Sequence, residues 1–120
     1  MPRFIVLVRV LFWTSLAFAF LMAVLPNPVP VQVNDKFQHF GAFVVLAALA
    51  ILSYPRAPLT KIAVLLALFG ALIEVTQAIP TLHRDAELAD WLVDIGAIVA
   101  VIVLVAIQRV GGRLAGQGRT

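Results

Sequence analysis

Four long apolar segments, separated by short polar or proline-containing connections, dominate the pattern of this chain. A helix needs roughly 20 residues to cross a hydrocarbon core about 30 Å thick, and each segment is close to that length. Transmembrane helices are therefore predicted over residues 5–25, 36–54, 59–79 and 87–108. Proline occurs in all three connections, where it removes a backbone donor and disfavours helix at the preceding residue. The predicted fold is an all-α, four-helix transmembrane bundle that forms a single domain over residues 1–120.

The composition agrees with an integral membrane protein. Hydrophobic residues make up 62% of the 120 residues, charged residues make up 12%, and the mean hydropathy is +1.05. A soluble domain of this size could not cover so much apolar surface. The net charge of +3 does not indicate nucleic acid, because the basic residues are scattered between apolar runs. The absence of cysteine excludes disulfides and thiolate chemistry. The apolar composition makes the lipid bilayer the predicted partner.

The N-terminal segment shares some features with a signal peptide. It has a basic start at Arg3 and the small-residue pattern Ala17-Phe18-Ala19. Its uncharged run from Val10 to Pro26 is longer than a usual signal-peptide core, and bulky residues surround the small ones. An uncleaved first transmembrane helix is therefore predicted.

The basic residues are distributed unevenly between the two ends of the predicted bundle. One end carries seven of them and the other carries two. The first set is Arg3, Arg9, Arg56, Lys61, Arg109, Arg113 and Arg119, and the second is Lys36 and Arg84. Since the positive-inside rule places the richer end in the cytoplasm, both termini are predicted to be cytoplasmic. All six carboxylates and both histidines then lie in the outer half.

Polar residues gather at the predicted outer end in two stretches, residues 35–39 and 74–94. The second stretch holds five of the six acidic residues. Spacings of three and four residues place pairs of polar side chains on one face of each helix. The predicted ligand-binding or polar network consists of Lys36, His39, Glu74, Gln77, Arg84, Asp90 and Asp94. No catalytic residue can be singled out among them.

Glu74 is the member of this network that most strongly indicates function. It lies five residues inside the predicted end of its helix, which is about 7–8 Å at the standard rise. A carboxylate at that depth is costly unless it is protonated, paired or reached by water. Arg84, Lys36 and His39 are its expected partners. Structural pairing with Arg84 is the alternative to a functional role.

The network is open to two chemical interpretations. His39 either ties helices together by hydrogen bonds or acts as a proton carrier or metal ligand. Carboxylates with one imidazole would suit a hard or borderline divalent ion held by His39, Glu74, Asp90 and Asp94. A metal-free salt-bridge network with Arg84 is favoured, because no strict ligand signature is present. No metal and no cofactor are therefore predicted.

Several residues have a predicted structural role. Glu87 suits the first turn of the fourth helix, where the dipole favours acids. Trp91 fits an interfacial aromatic belt, and Gly111-Gly112 is predicted to end the last helical region. Small residues are expected to allow close helix packing. These are Gly41, Ala42, Ala67, Gly70, Ala71, Gly96, Ala97 and Ala100.

The order and separation of the polar elements resemble the VanZ-like family over residues 35 to about 104. The elements are Asp-Lys-x-x-His-Phe at 35–40, Glu-x-x-Gln at 74–77, Arg84, and Asp90, Asp94 and Gly96. Asp94 departs from the family, in which asparagine is common at this place. The resemblance implies a multi-pass protein of the bacterial inner membrane. The family is named for a protein associated with low-level resistance to the glycopeptide teicoplanin.

Three functional hypotheses follow. The first, which is favoured, is a non-catalytic envelope protein whose outward polar site recognises an amphipathic or lipid-linked ligand such as a cell-wall precursor or a lipopeptide-like antibiotic. The second is a membrane-embedded enzyme that acts on a lipid headgroup by acid–base or metal-assisted chemistry. The third is an assembly partner or proton-coupled carrier. The sequence does not predict the oligomeric state.

Overall fold

The computed structural model describes residues 2–25, 35–80 and 86–118. Regular structure within these ranges consists of four helices, with no strand. The helices are α1 (Arg3–Val24), α2 (Asp35–Ser53), α3 (Leu59–Gln77) and α4 (Leu88–Gln117). All four are long and apolar enough to cross a membrane. The predicted all-α architecture and the four candidate spans are thereby confirmed, and each helix starts within two residues of its predicted position.

Helix α4 is longer than predicted, because it continues through Gly111 and Gly112 to Gln117. Its 30 residues correspond to a length of about 45 Å. Glycine inside a helix costs only about 1 kcal/mol relative to alanine, and no proline follows to break the hydrogen-bond ladder. The helix instead ends at Gly118, whose amide donates to the Leu114 carbonyl at 3.1 Å. Every residue from 107 to 118 is exposed, so this segment extends past the packed part of the bundle.

Helices α2 and α3 form the centre of the bundle, with α1 and α4 on opposite sides. Apolar side chains from all four helices build one core, which includes Phe12, Leu46, Leu66 and Ile98. Most other large apolar side chains point outward and are exposed. An apolar outer surface of this kind is suited to contact with lipid tails rather than water.

The two ends of the bundle differ in chemistry. We call the end where α1 and α3 finish and α2 and α4 begin the cluster end, and the opposite one the termini end. At the termini end, the Arg9 Nε donates to the Ser53 carbonyl at 2.8 Å, and its guanidinium lies 4.4 Å from the Tyr54 ring centroid. The Trp13 indole donates to the Tyr54 hydroxyl at 3.0 Å. These contacts satisfy the last turn of α2 and fix it against α1.

The small residues do not all serve close packing. Gly70 is buried, and a Cβ built on it would lie 3.1 Å from Asp94 Oδ2. Gly41 and Gly96 instead have open space around the corresponding position, so the prediction is wrong for these two. Trp91 packs at the α3–α4 interface, where its indole donates to the Ala67 carbonyl at 3.0 Å. Trp91 therefore has a structural role in joining α3 to α4.

Candidate functional site

A histidine–aspartate pair joins α2 to α4 at the cluster end. His39 Nδ1 lies 3.0 Å from Asp94 Oδ1, within hydrogen-bond distance. The Asp94 side chain is completely buried, and the His39 side chain is 12% exposed. His39 lies one turn into α2 and Asp94 lies nearly two turns into α4, and both helices start at the cluster end and run parallel, so the two side chains lie at a similar depth. The missing side chain of Gly70 leaves room for the Asp94 carboxylate.

A lysine at the rim extends this pair toward the membrane surface. Lys36 Nζ lies 3.2 Å from Glu87 Oε2 and 3.6 Å from Asp90 Oδ1. The Asp90 Oδ2 atom in turn lies 3.8 Å from His39 Nε2. Lys36 and Glu87 are about half exposed, whereas Asp90 is buried. The cluster therefore has an exposed rim and a buried interior, with Asp90 between them.

Glu74 approaches the same interior from α3. Its Oε2 atom accepts a hydrogen bond from the Glu87 amide at 3.0 Å. Its Oε1 atom is buried and makes no hydrogen bond to any described residue. One ligand-type atom from each of His39, Glu74 and Asp94 lies within 4.8 Å of the others. Three helices thus converge on one small space lined by an imidazole and two carboxylates.

One described member of the predicted network, Gln77, is placed differently. Gln77 is buried, but its Nε2 donates to the Ala23 carbonyl at 2.8 Å, which ties α3 to the last turn of α1. Arg84, the expected partner of Glu74, lies outside the described residues. The remaining members are brought together. They are Lys36, His39, Glu74, Asp90 and Asp94.

Glu87 has a larger role than the one predicted for it. It occupies the N-cap position of α4, not the first turn, and its side chain makes no capping bond. Its amide binds Glu74 and its carboxylate binds Lys36, so one residue links α2, α3 and α4. In the sequence, Glu87 lies three residues before Asp90, a spacing that puts two side chains on the same face of a helix. Both acids therefore reach the same lysine, Lys36.

A groove between α1 and α2 leads away from the cluster. Its volume is about 700 Å³ and its lining is mostly apolar. The lining residues are Thr14, Ser15, Phe18, Ala19, Met22, Ala23, Gln38, His39, Gly41, Ala42, Phe43, Val45, Leu46 and Ile73. From His39 to Leu46 the groove descends about 10 Å along α2, at the standard rise per residue. It therefore connects the polar site at the cluster end with apolar side chains nearer the middle of the bundle.

The cluster is rich in negative charge. Its described residues include four carboxylates but one lysine and one histidine. They are Glu74, Glu87, Asp90, Asp94, Lys36 and His39. Carboxylates accept hydrogen bonds and bind cations, and they become costly where water is excluded. The arrangement can therefore receive hydrogen-bond donors or a cation, or orient the His39 ring for proton transfer.

No protein-family model, curated protein or solved structure matches this chain.

Proposed function

We propose that this chain is a multi-pass protein of the bacterial cytoplasmic membrane that binds an amphipathic, lipid-linked ligand. The apolar chain of the ligand lies in the groove between α1 and α2, and its headgroup lies at the polar cluster. The observation that carries the proposal is the continuity of the two, since His39 belongs both to the cluster and to the groove lining.

The size and lining of the groove support an apolar occupant. Small-molecule sites in proteins typically have volumes of about 300–1,000 Å³ and are mainly apolar, with a few polar groups that orient the ligand. At about 700 Å³ the groove falls within this range, and Phe43 and Ile73 contribute buried apolar surface to it. A lipid chain bound in the groove contacts packed protein side chains instead of the mobile acyl chains of the bilayer.

The acceptor-rich cluster supports a headgroup that carries hydroxyl, amide or ammonium groups. Such groups donate hydrogen bonds, and carboxylates accept them. Sugar and peptide portions of lipid-linked cell-wall precursors have this chemistry, as do lipopeptide-like antibiotics. The resemblance to the VanZ-like family rests largely on residues that lie in the cluster, notably Lys36, His39, Glu74 and Asp90. This supports a role in the envelope related to glycopeptide resistance.

The proposal includes an orientation, in which both termini face the cytoplasm and the cluster end faces outward. The chain has no cysteine, so single-cysteine variants report one position each. A membrane-impermeant maleimide added to intact cells is expected to label Ala86→Cys and to spare Gly118→Cys. Both residues are exposed, one at the start of α4 and the other at its end. Labelling of Gly118→Cys alone would reverse the orientation.

Blocking the groove tests the proposed site of the lipid chain. Gly41 lines the groove and has open space around it, so Gly41→Trp fills the groove without displacing packed atoms. If the tryptophan keeps two methylenes of the lipid chain out of the groove, binding loses about 1.6 kcal/mol, which is more than a tenfold loss of affinity. Titration of undecaprenyl phosphate into the protein in phosphatidylcholine nanodiscs is therefore expected to show binding about tenfold weaker than for the wild type.

Gly96→Trp is the matched control for this experiment. Gly96 also has open space around it, lies at a comparable depth on α4, and does not line the groove. Its affinity for undecaprenyl phosphate is expected to equal that of the wild type. Equal weakening by both substitutions would attribute the effect to the tryptophan itself, and no weakening by Gly41→Trp would remove the groove from the proposal.

A second candidate function, headgroup hydrolysis, is favoured by the orientation of His39. A buried carboxylate bound to Nδ1 fixes the ring and supports proton uptake at Nε2, as in general-base catalysis. In this structure the pair is formed by Asp94 and His39 at 3.0 Å. Release of a headgroup from a lipid substrate, measured by mass spectrometry and abolished by Asp94→Asn, would favour an enzyme over a binding protein.

A further inference from the structure

We propose that His39, Glu74 and Asp94 form a binding site for one divalent transition-metal ion. The site itself stands on the geometry of these three residues. Its role in holding a headgroup, described below, rests on the proposed function.

The three residues converge in the way that a metal site requires. Each contributes one ligand-type atom, and these atoms lie within 4.8 Å of one another. Ligand atoms about 2.1 Å from a tetrahedral ion lie about 3.4 Å apart, so a movement of roughly 1 Å closes the site. His39 and Asp94 already meet at 3.0 Å, and Glu74 has a buried oxygen without a hydrogen bond to any described residue.

Charge balance also favours a cation at this place. Lys36 is the basic side chain among the described residues of the cluster. It lies at the rim, 3.2 Å from Glu87 and 3.6 Å from Asp90, and pairs with these two acids. Deeper in the bundle, ligand-type atoms of Glu74, Asp94 and His39 lie within 4.8 Å of one another. Two carboxylates held close together are costly in a region of low dielectric. A divalent ion offsets both charges and is coordinated by the same atoms.

The ligand set indicates the class of metal. One imidazole nitrogen and two carboxylate oxygens are suited to Zn²⁺ or Mn²⁺, whereas Ca²⁺ prefers six to eight oxygen ligands. Three protein ligands leave at least one coordination position open, as at catalytic zinc sites. His39 also lines the groove, so the open position is next to the proposed place of the ligand. The ion would then add a direct contact to an anionic headgroup, such as a phosphate.

Competition titration with a zinc-chelating dye tests the site on tag-free purified protein. One Zn²⁺ per chain is expected for the wild type. Asp94→Asn and Glu74→Gln are each expected to weaken binding by at least about 100-fold, since even changes around a metal ligand cost about 10–100-fold. Glu87→Gln is the control, because it neutralises a carboxylate of the same cluster that lies outside the proposed ligand set. Unchanged affinity in Asp94→Asn and Glu74→Gln would overturn the proposal, as would the absence of zinc binding by the wild type.

A spectroscopic measurement on folded wild-type protein avoids dependence on variants of a buried residue. The chain has two histidines, so imidazole coordination can be attributed by substitution. Electron paramagnetic resonance with bound Cu²⁺ is expected to show nitrogen hyperfine coupling that His83→Gln retains and His39→Gln removes. Coupling that persists in His39→Gln would overturn the proposed site.

The role of the ion in ligand binding is tested separately with undecaprenyl phosphate. Removal of metal with EDTA is expected to weaken binding of this lipid at least about tenfold, and added Zn²⁺ is expected to restore it. An affinity for undecaprenyl phosphate that EDTA does not change would overturn the bridging role of the ion while leaving the proposed function in place. Absence of lipid binding by zinc-loaded protein would overturn the proposed function while leaving the ion site in place.

Discussion

Replacing His39 by leucine is expected to lower the free energy of unfolding by about 1–3 kcal/mol, the usual cost of taking a hydrogen-bond partner from a buried polar group. The imidazole lies between two carboxylates, 3.0 Å from Asp94 and 3.8 Å from Asp90. Both carboxylates are buried, so water cannot replace the lost partner. Leucine fills similar space and is apolar, which makes the lost polar contact the main change. Unfolding in mixed micelles with increasing sodium dodecyl sulfate measures the effect.

A double variant separates the charge effect from packing. His39→Leu combined with Asp94→Asn is expected to regain about 1 kcal/mol relative to His39→Leu alone, because the buried carboxylate that lost the imidazole is gone. A purely steric explanation predicts the opposite, namely that each substitution adds to the damage. A double variant no more stable than His39→Leu would therefore show that the histidine contributes packing and not charge compensation.

The existence and order of the helices follow from the sequence because hydropathy and proline are local signals. Each span is set by an apolar run and ended near proline, and neither depends on where the neighbouring helix lies. The end of α4 is the exception. Gly111 and Gly112 are weak helix breakers, and a helix that leaves the packed bundle has nothing else to stop it before Gly118.

The site could be predicted only as a set of residues at one end of the bundle. Spacing along a helix gives the face on which a side chain lies, but not which helix that face meets. Glu74 and Gln77 are three residues apart, so their side chains point in directions that differ by about 60° around the helix axis. That difference is enough for Glu74 to approach α4 while Gln77 binds the carbonyl of Ala23 on α1.

Partners supplied by the backbone could not be predicted at all. Glu74 binds the amide of Glu87, a contact that depends on the chain conformation before α4 and not on side-chain identity. The same limit applies to Gly70, one of eight small residues expected at helix contacts. Its importance follows from the position of Asp94 across the α3–α4 interface, which is a tertiary property.

Enlarging Gly70 is expected to have the second large effect, because it disrupts the site and the α3–α4 interface together. A Cβ at this position would lie 3.1 Å from Asp94 Oδ2, 3.3 Å from Trp91 Cδ1 and 3.4 Å from Phe43 Cζ. Alanine requires its neighbours to yield by a few tenths of an ångström, whereas leucine requires α3 and α4 to separate. Overpacking of this kind costs about 1–3 kcal/mol. Gly70→Leu is therefore expected to lower the free energy of unfolding by that amount in the same micelle assay.

The matched control is Gly96→Leu, which adds the same side chain at a helical glycine with open space around it. It is expected to leave the free energy of unfolding within about 0.5 kcal/mol of the wild type or to raise it, because leucine favours helix over glycine. Gly70→Leu should in addition weaken the His39–Asp94 contact, since Asp94 must move away from the new side chain. The loss caused by His39→Leu should therefore be smaller in the Gly70→Leu background than in the wild type. Equal losses in the two backgrounds would mean that Gly70 supports only helix packing and that the carboxylate does not depend on the space it leaves.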